Sequence, residues 1–403
     1  MTMTGVHSQE PFRLSMLLYD TRYRSITIQI IALIAVLTFF GWIVSNTIAN
    51  LQALGKDFNF GFLGQRAGYD ISQTLIPYTN NSTHGRAAIV GILNTLLVAF
   101  LGCVTATVIG VMMGVLRLSS NWLVARLASV YVEMFRNVPV LLWILAIMAI
   151  VTETFPAPAA FRGDDPAASM LFGGIALTNR GAYVPWPIFG PGWQVVLGVF
   201  IASLIAIVLF RRYAHQRQEA TGQALPVFWI SLALFVLPAL LVDAVLGAIT
   251  FEVPELQRFN FQGGGFLDTS LIALWFALAL YTGAFIAEIV RGGIQAISRG
   301  QSEAASALGL RPNRVMRLVV LPQALRVIIP PLISQFLNLT KNSSLAIVVG
   351  YADVRATLGG ITMNQTGREL ECMLLMMGFY LLVSLAISSF MNWYNSSVAL
   401  KER

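Results

Sequence analysis

The chain has 403 residues, of which 56% are hydrophobic and only 11% charged, whereas a soluble globular domain carries about 25% charged residues. So few charges exclude a soluble surface of this size and leave the bilayer as the solvent. The net charge of +7 then reads as a topology signal rather than a nucleic-acid footprint, and no nucleic acid is expected among the partners.

Eight stretches are long and apolar enough to cross about 30 Å of hydrocarbon. In chain order they are 25–44, 87–116, 127–151, 193–210, 226–250, 268–290, 324–350 and 370–394. The first exceeds the h-region of a signal peptide and reads as a span. The third contains Pro139 and the seventh Pro330 and Pro331. Kinks are expected at both, because proline removes a backbone donor. Cys103 and Cys372 lie inside apolar runs, so no disulfide framework is expected.

With the N-terminus placed inside, seventeen Lys and Arg fall in inside segments and eight in outside segments, leaving Lys341 within a span. The bias predicts cytoplasmic N- and C-termini. The outside segments 45–86 and 152–192 are rich in Gly, Pro, Asn and Ser and read as ordered surface loops. Asn80-Asn81-Ser82-Thr83 reads as a turn.

Between spans six and seven lies "GQSEAASALGL", Gly300 to Leu310. Ser298 and Gln301 fit a capping box that opens a helix, Gly309 is a natural stop, and Pro312 suits the first turn of a second short helix. Pro322 then opens the next span. Glu303 stands near the positive helix terminus, where a carboxylate is favoured. Ala304, Ala305, Ala307 and Leu308 bury little area but let another surface approach closely. A solvated connecting loop is the plain alternative.

"EAASALGLRPNRVMRLVVLP" resembles the EAA motif of ABC importer permeases. Glu303, Ala304, Ala305, Gly309, Val319, Leu321 and Pro322 fall in its register. "TGAFIAEIVRGGIQAISRGQ", "LPQALRVIIPPLISQFLNLTKNSSL" and "YVEMFRNVPVLL" resemble segments of the polar-amino-acid subfamily, the histidine, glutamine and general L-amino-acid permeases. Asn137-Val138 replace that subfamily's usual Gly-Thr pair before proline. Among these, the chain is most similar to the longer permease of the general L-amino-acid importers.

The resemblance implies an all-α polytopic fold. A type I ABC importer core of five helices would be joined by an N-terminal helix and an inserted hairpin. The implied segments are 1–86 (tail, first helix, outside loop), 87–151 (first part of the core), 152–267 (outside loop and added hairpin) and 268–403 (second part of the core, with a coupling helix at about 298–322). It also implies import of L-amino acids across a bacterial inner membrane. The partners would be ABC ATPase subunits docked on Glu303, Ala304, Ala305, Gly309, Arg311 and Pro322, a second, homologous permease, and a periplasmic amino-acid-binding protein.

No G-x-x-x-x-G-K-[ST] occurs and the only lysines are Lys56, Lys341 and Lys401. The chain is therefore expected to be non-catalytic and to hold no cofactor, with ATP and Mg on the partner ATPase. An ion-coupled secondary transporter is the alternative, but it would need paired broken helices in repeated halves.

Charges inside spans are functional candidates. Lys341 lies in the polar run "NLTKNSS" with Ser343 and Ser344. Two readings stand for it: an ammonium snorkelling to the interface, or a contact for a substrate carboxylate. Glu133 and Arg136 are three apart and so share a helix face. Glu288 and Arg291 repeat that spacing.

Overall fold

The computed structural model describes residues 21–53, 55, 57–163, 165–223 and 225–398. The two termini expected inside, and Lys56, lie outside the described residues. The chain forms two compact units, one ending at Phe62 and one beginning at Leu63. The described part of the first is essentially α1, Thr21–Ala53, apolar on every side, a pattern that suits a membrane span.

The second unit is built on α2 (His84–Leu116), α3 (Trp122–Asn137), α4 (Val140–Thr154), α5 (Trp193–Thr221) and α6 (Val227–Leu246). It continues with α7 (Thr269–Gln295), α8 (Arg299–Ala307), α9 (Pro312–Val315), α10 (Leu321–Asn342) and α11 (Glu369–Val398). Among the described residues, eight helices are long and apolar enough to span a membrane; each overlaps one of the eight expected stretches, and the third and seventh differ in their bounds.

α7 is the central helix: 67% of its span is buried, against 22% or less for every other. Leu271, Leu274, Leu278 and Ile286 of α7 meet Val98 of α2, Ile144 of α4 and Leu339 of α10 in one core. α2 approaches α7 closely through Gly110 and Gly114. A Cβ on Gly110 would lie 2.5 Å from Ile286 Cβ, and one on Gly114 would lie 2.7 Å from the Ala287 carbonyl oxygen. Small residues spaced four apart permit this backbone approach where lipid supplies no hydrophobic drive.

The third expected span is two helices, not one kinked helix. Val138 (φ −110°, ψ 134°) and Pro139 (φ −56°, ψ 138°) are both extended. Proline drives its predecessor out of the α region, and here both residues leave it. The span proper is Val140–Phe161. Glu133 and Arg136 consequently sit on α3, outside it.

The seventh span begins earlier than expected. One helical run covers Pro312–Val349, passing from α9 through a π-helical segment, Met316–Val320, into α10. Pro322 lies in the first turn of α10 rather than opening a new helix. The π segment lies just before Pro322, whose ring would clash with the i−4 carbonyl of an unbroken α turn. α10 continues through Pro330 and Pro331.

The segments around the added hairpin hold β structure where loops were expected. β1 (Ala176–Thr178), β2 (Gly181–Val184) and β7 (Gly265–Asp268) form one antiparallel sheet. β3 (Trp186–Phe189) and β4 (Ile249–Glu252) form a ribbon that extends the α5–α6 hairpin, with Phe189 opposite Ile249. β5 (Glu255–Gln257) pairs with β6 (Asn260–Gln262). The Asn80–Thr83 segment is a turn, as expected, and Thr83 caps α2 by accepting from the Arg86 N–H at 3.3 Å.

Candidate functional site

α8 stands where the capping and stop signals put it. Ser298 is its N-cap, but the capping box is not formed: the Ser298 side chain makes no cap hydrogen bond, and Gln301 N–H donates instead to the Ser298 carbonyl at 3.1 Å. The C-terminal end is fully closed. Gly309 has φ +79°, its N–H donates to Ser306 at 2.9 Å, and Leu310 N–H donates to Ala305 at 3.4 Å. These two bonds and the left-handed residue between them form a Schellman closure.

Ala305 is buried with Val315 and Val320, against Leu310, Ile294 and Ile297. It is the side chain that seats α8 on the end of α7 and the start of the long helical run. Glu303, Ala304, Gly309, Arg311 and Pro322 are exposed. Leu308 is 84% exposed, an apolar side chain at the tip of a polar loop. Arg311 caps α9, its carbonyl accepting from Arg314 at 2.8 Å and Val315 at 3.0 Å. The loop is therefore a rigid, small-residue surface with one projecting leucine, which the sequence pattern had grouped with the neighbouring alanines.

Four charges meet near the same end of α7. Glu288 pairs with Arg117 at the end of α2 and with Arg291 one turn on, and Arg136 of α3 approaches it at 3.6 Å. Arg136 also lies 5.3 Å from the Phe285 ring centroid, within cation–π range. Arg117 reaches Ser129 Oγ at 3.3 Å and Arg291 reaches Gln295 Oε1 at 2.7 Å. Among the described residues, Arg136 thus pairs with Glu288 and not with Glu133, which is exposed. One carboxylate ties three helices together, and three guanidiniums leave the cluster with excess positive charge. The sequence showed the Glu288–Arg291 spacing; Arg117 and Arg136 join only through the fold.

Lys341 is not part of this cluster. It is exposed in the last turn of α10, about 30 Å along the helix from Leu321. Ser343 is fully buried and its Oγ donates to the Thr340 carbonyl at 2.7 Å; Ser344 is half-buried. The candidates thus separate to opposite ends of the helices.

Next to the Lys341 end is a buried polar network. Asn94 Nδ2 donates to the carbonyls of Gln73 at 2.8 Å and Ala352 at 2.9 Å. Tyr351 Oη donates to the Asn94 carbonyl at 3.1 Å, and Val354 N–H donates to Thr95 Oγ1 at 3.0 Å. Asp353 is fully buried. Its Oδ1 accepts from Ala356 N–H at 2.8 Å, while its Oδ2 has no hydrogen-bond partner. Burial pushes its carboxyl up to about 6. The signal for this network is the polar pair Asn94-Thr95 inside an otherwise apolar span, and neither residue carries a charge. Among the described residues, no group of three His, Cys, Asp or Glu is placed to hold a metal ion.

Residues 219–399 match the family described as binding-protein-dependent transport system inner membrane component. The chain is 56% identical over 418 residues to the glutamate/glutamine/aspartate/asparagine transport system permease protein BztB of Rhodobacter capsulatus, covering 97% of each chain. It is 47% identical over 391 residues to the general L-amino acid transport system permease protein AapQ of Rhizobium johnstonii, covering 96% of this chain and 95% of that one. It is 44% identical over 400 residues to the putative amino-acid ABC transporter permease protein YhdX of Escherichia coli, covering 98% of this chain and 100% of that one. With relatives of this identity aligned along nearly the whole chain, and with eight helices among the described residues long and apolar enough to span a membrane, the chain belongs to the family of amino-acid ABC transporter permeases.

Proposed function

We propose that this permease carries glutamate, aspartate and their amides into the cytoplasm, driven by an ABC ATPase that docks on α8. The substrate class is that named for the relative at 56% identity. The observation that carries the docking assignment is the pairing of a rigid closure at Gly309 with the outward projection of Leu308, 84% exposed. Small side chains let a partner surface approach the α8 backbone closely, and Leu308 supplies an apolar side chain to bury against it. Glu303, exposed in the second turn of α8, adds a charge that the partner reads. A chain without a phosphate-binding loop of its own needs that partner.

The charge cluster at Glu288 lies ten residues before Ser298 and gives the movement a path. A push on α8 reaches α7 through Ala305, and the ion pairs of Glu288 pass it to α2 and α3. Such a cluster is a bistable element that a partner's closure biases. Arg311 and Pro322 keep the start of the long helical run in line with α8. At the other end, Lys341 offers an ammonium for a substrate carboxylate. Ser343 and Ser344 border that position.

The assembly we infer has two homologous permeases forming the pathway, two ATPases on the cytoplasmic side and a periplasmic binding protein. Both chain ends are cytoplasmic in this reading, supported by the excess of Lys and Arg on one side. ATP and Mg belong to the partner chain.

Leu308→Asp tests the docking assignment. The variant is expected to insert normally and to lose ATPase co-purification and substrate-stimulated ATP hydrolysis. Full retention of both would remove α8 from the interface. Uptake of labelled glutamate, glutamine, aspartate and asparagine against a basic and an aromatic amino acid tests the substrate class. Equal uptake of all six would replace the acidic/amide reading with a general one.

A further inference from the structure

The α5–α6 hairpin lies outside the inferred five-helix core and has no task in the function above. Its own chemistry supplies one. From Trp193 to Phe210 α5 carries no charged side chain, a length of about 27 Å, close to the thickness of the hydrocarbon layer. Arg211 and Arg212 follow at once, so they stand where lipid headgroups begin. α5 then continues to Thr221 with His215 and Arg217, and with one acid, Glu219, which lies 3.2 Å from His215. Connectivity puts this end of the hairpin on the side of the coupling loop, because α5 starts, α6 ends and α7 starts at the β strands.

Two hollows meet at Arg211. The first is a shallow, open depression along Arg211, Arg212, His215 and Gln216. The second, of about 290 Å³, runs between the helices past Leu204, Ile207, Phe228, Ser231, Leu232 and Phe235. Cationic donors at headgroup level therefore open directly onto an apolar groove that descends into the membrane.

An independent observation points to an occupant. Ser231 is only 6% exposed, and its Oγ has no hydrogen-bond partner. A buried hydroxyl is costly without one, and a helical serine usually donates to the carbonyl one turn back. Ser231 lines the apolar groove, about 4.5 Å deeper along α6 than Phe228. In a diacyl phospholipid the ester oxygens sit just inside the phosphate and have no donor of their own. The order from water inward is then guanidinium against phosphate, hydroxyl against ester, and apolar wall against acyl chain.

We propose that this junction is a binding site for an anionic diacyl phospholipid of the coupling-loop-side leaflet, with its phosphate on Arg211 and Arg212, an ester oxygen on Ser231 and its acyl chain in the α5–α6 groove. Basic residues just outside a transmembrane helix attract anionic lipid, and the groove makes the contact specific in place. The site is independent of the substrate and docking assignments above.

The test uses the whole purified transporter complex, delipidated in detergent. It is titrated separately with dioleoylphosphatidylglycerol, dioleoylphosphatidylcholine and inorganic phosphate, and bound lipid is counted by native mass spectrometry. Phosphatidylglycerol is expected to remain bound at concentrations about tenfold below those phosphatidylcholine needs. Arg211→Gln should weaken its retention about fivefold. Arg217→Gln, the same charge change outside both hollows, should leave it within about twofold. Ser231→Phe, which fills the groove without touching a charge, should reduce retention of both lipids.

Equal retention of the two lipids would overturn the proposal, as would equal loss in Arg211→Gln and Arg217→Gln. If inorganic phosphate competes and no lipid adduct forms, the arginines hold a free anion and the lipid assignment falls. If adducts appear only once a partner chain has dissociated, the groove is that partner's seat, and the proposal falls as well.

Discussion

Leu310 donates its backbone N–H to the Ala305 carbonyl at 3.4 Å, across a glycine with φ +79°. That bond ends α8 and turns the chain toward α9, and Ala305 on the same turn packs against Val315 and Val320. The direction in which the chain leaves α8 thus depends on one residue that tolerates a left-handed backbone. No atom lies within 4 Å of where a Cβ on Gly309 would stand, so a side chain there is opposed by conformation and not by space.

Gly309→Val should therefore cost about 1–2 kcal/mol locally and misdirect α9. The expected result is normal insertion, loss of ATPase co-purification and at least a tenfold drop in uptake. Gly309→Asn, which tolerates the left-handed region better, should recover much of both. An Asn variant as impaired as Val would show that backbone conformation is not what matters at this position.

Removing the carboxylate from the charge cluster is expected to loosen three helices at once. Glu288→Gln leaves Arg117, Arg136 and Arg291 facing one another, a cost of about 2 kcal/mol. The partly exposed setting of these side chains keeps the figure below that of a fully buried pair. Thermal unfolding should show the loss, and basal ATP hydrolysis should become uncoupled from substrate. The double variant Glu288→Gln with Arg117→Gln should be less destabilised than the sum of the single changes; strict additivity would mean that the two residues do not act together.

Lys341→Met should abolish uptake of glutamate while the complex stays assembled, since losing an intramembrane cation does not burden the fold. Lys341→Arg should retain measurable uptake with a raised KM. Unchanged uptake in the Met variant would return Lys341 to a snorkelling role.

Asp353 should make stability fall as pH rises. Its folded carboxyl keeps a proton to about pH 6, against an ordinary 3.8, because burial disfavours the charge. Stability is then greatest below 3.8 and declines between 3.8 and about 6, by about 3 kcal/mol. Asp353→Asn preserves the cap on Ala356 and removes the charge. It should raise the melting temperature at pH 7.5 and lose that advantage near pH 4. A pH-independent difference would contradict a buried, titrating carboxyl.

Composition and local motifs set the solvent, the number of spans and the place of α8. These are local or compositional properties. A run of about twenty apolar residues has no other stable home, and Gly309 and Pro312 act on the backbone next to them whatever surrounds them. Contacts between residues far apart in sequence, and the bounds of two helices, came from the packing. The break at Asn137–Pro139 turned an expected kink into two helices because both Val138 and Pro139 became extended. The π turn at Met316–Val320 joined two helices that proline had seemed to divide. Glu288 gained Arg117 from 171 residues away, and Asn94 gained the Ala352 carbonyl from 258 residues away. The first pairing depends on how closely α2 and α7 approach, which Gly110 and Gly114 permit, and the second on how closely α2 approaches the segment after α10, where a Cβ on Gly91 would lie 2.8 Å from the Asp353 carbonyl oxygen. Local patterning names the helices, but only packing chooses which polar groups meet between them.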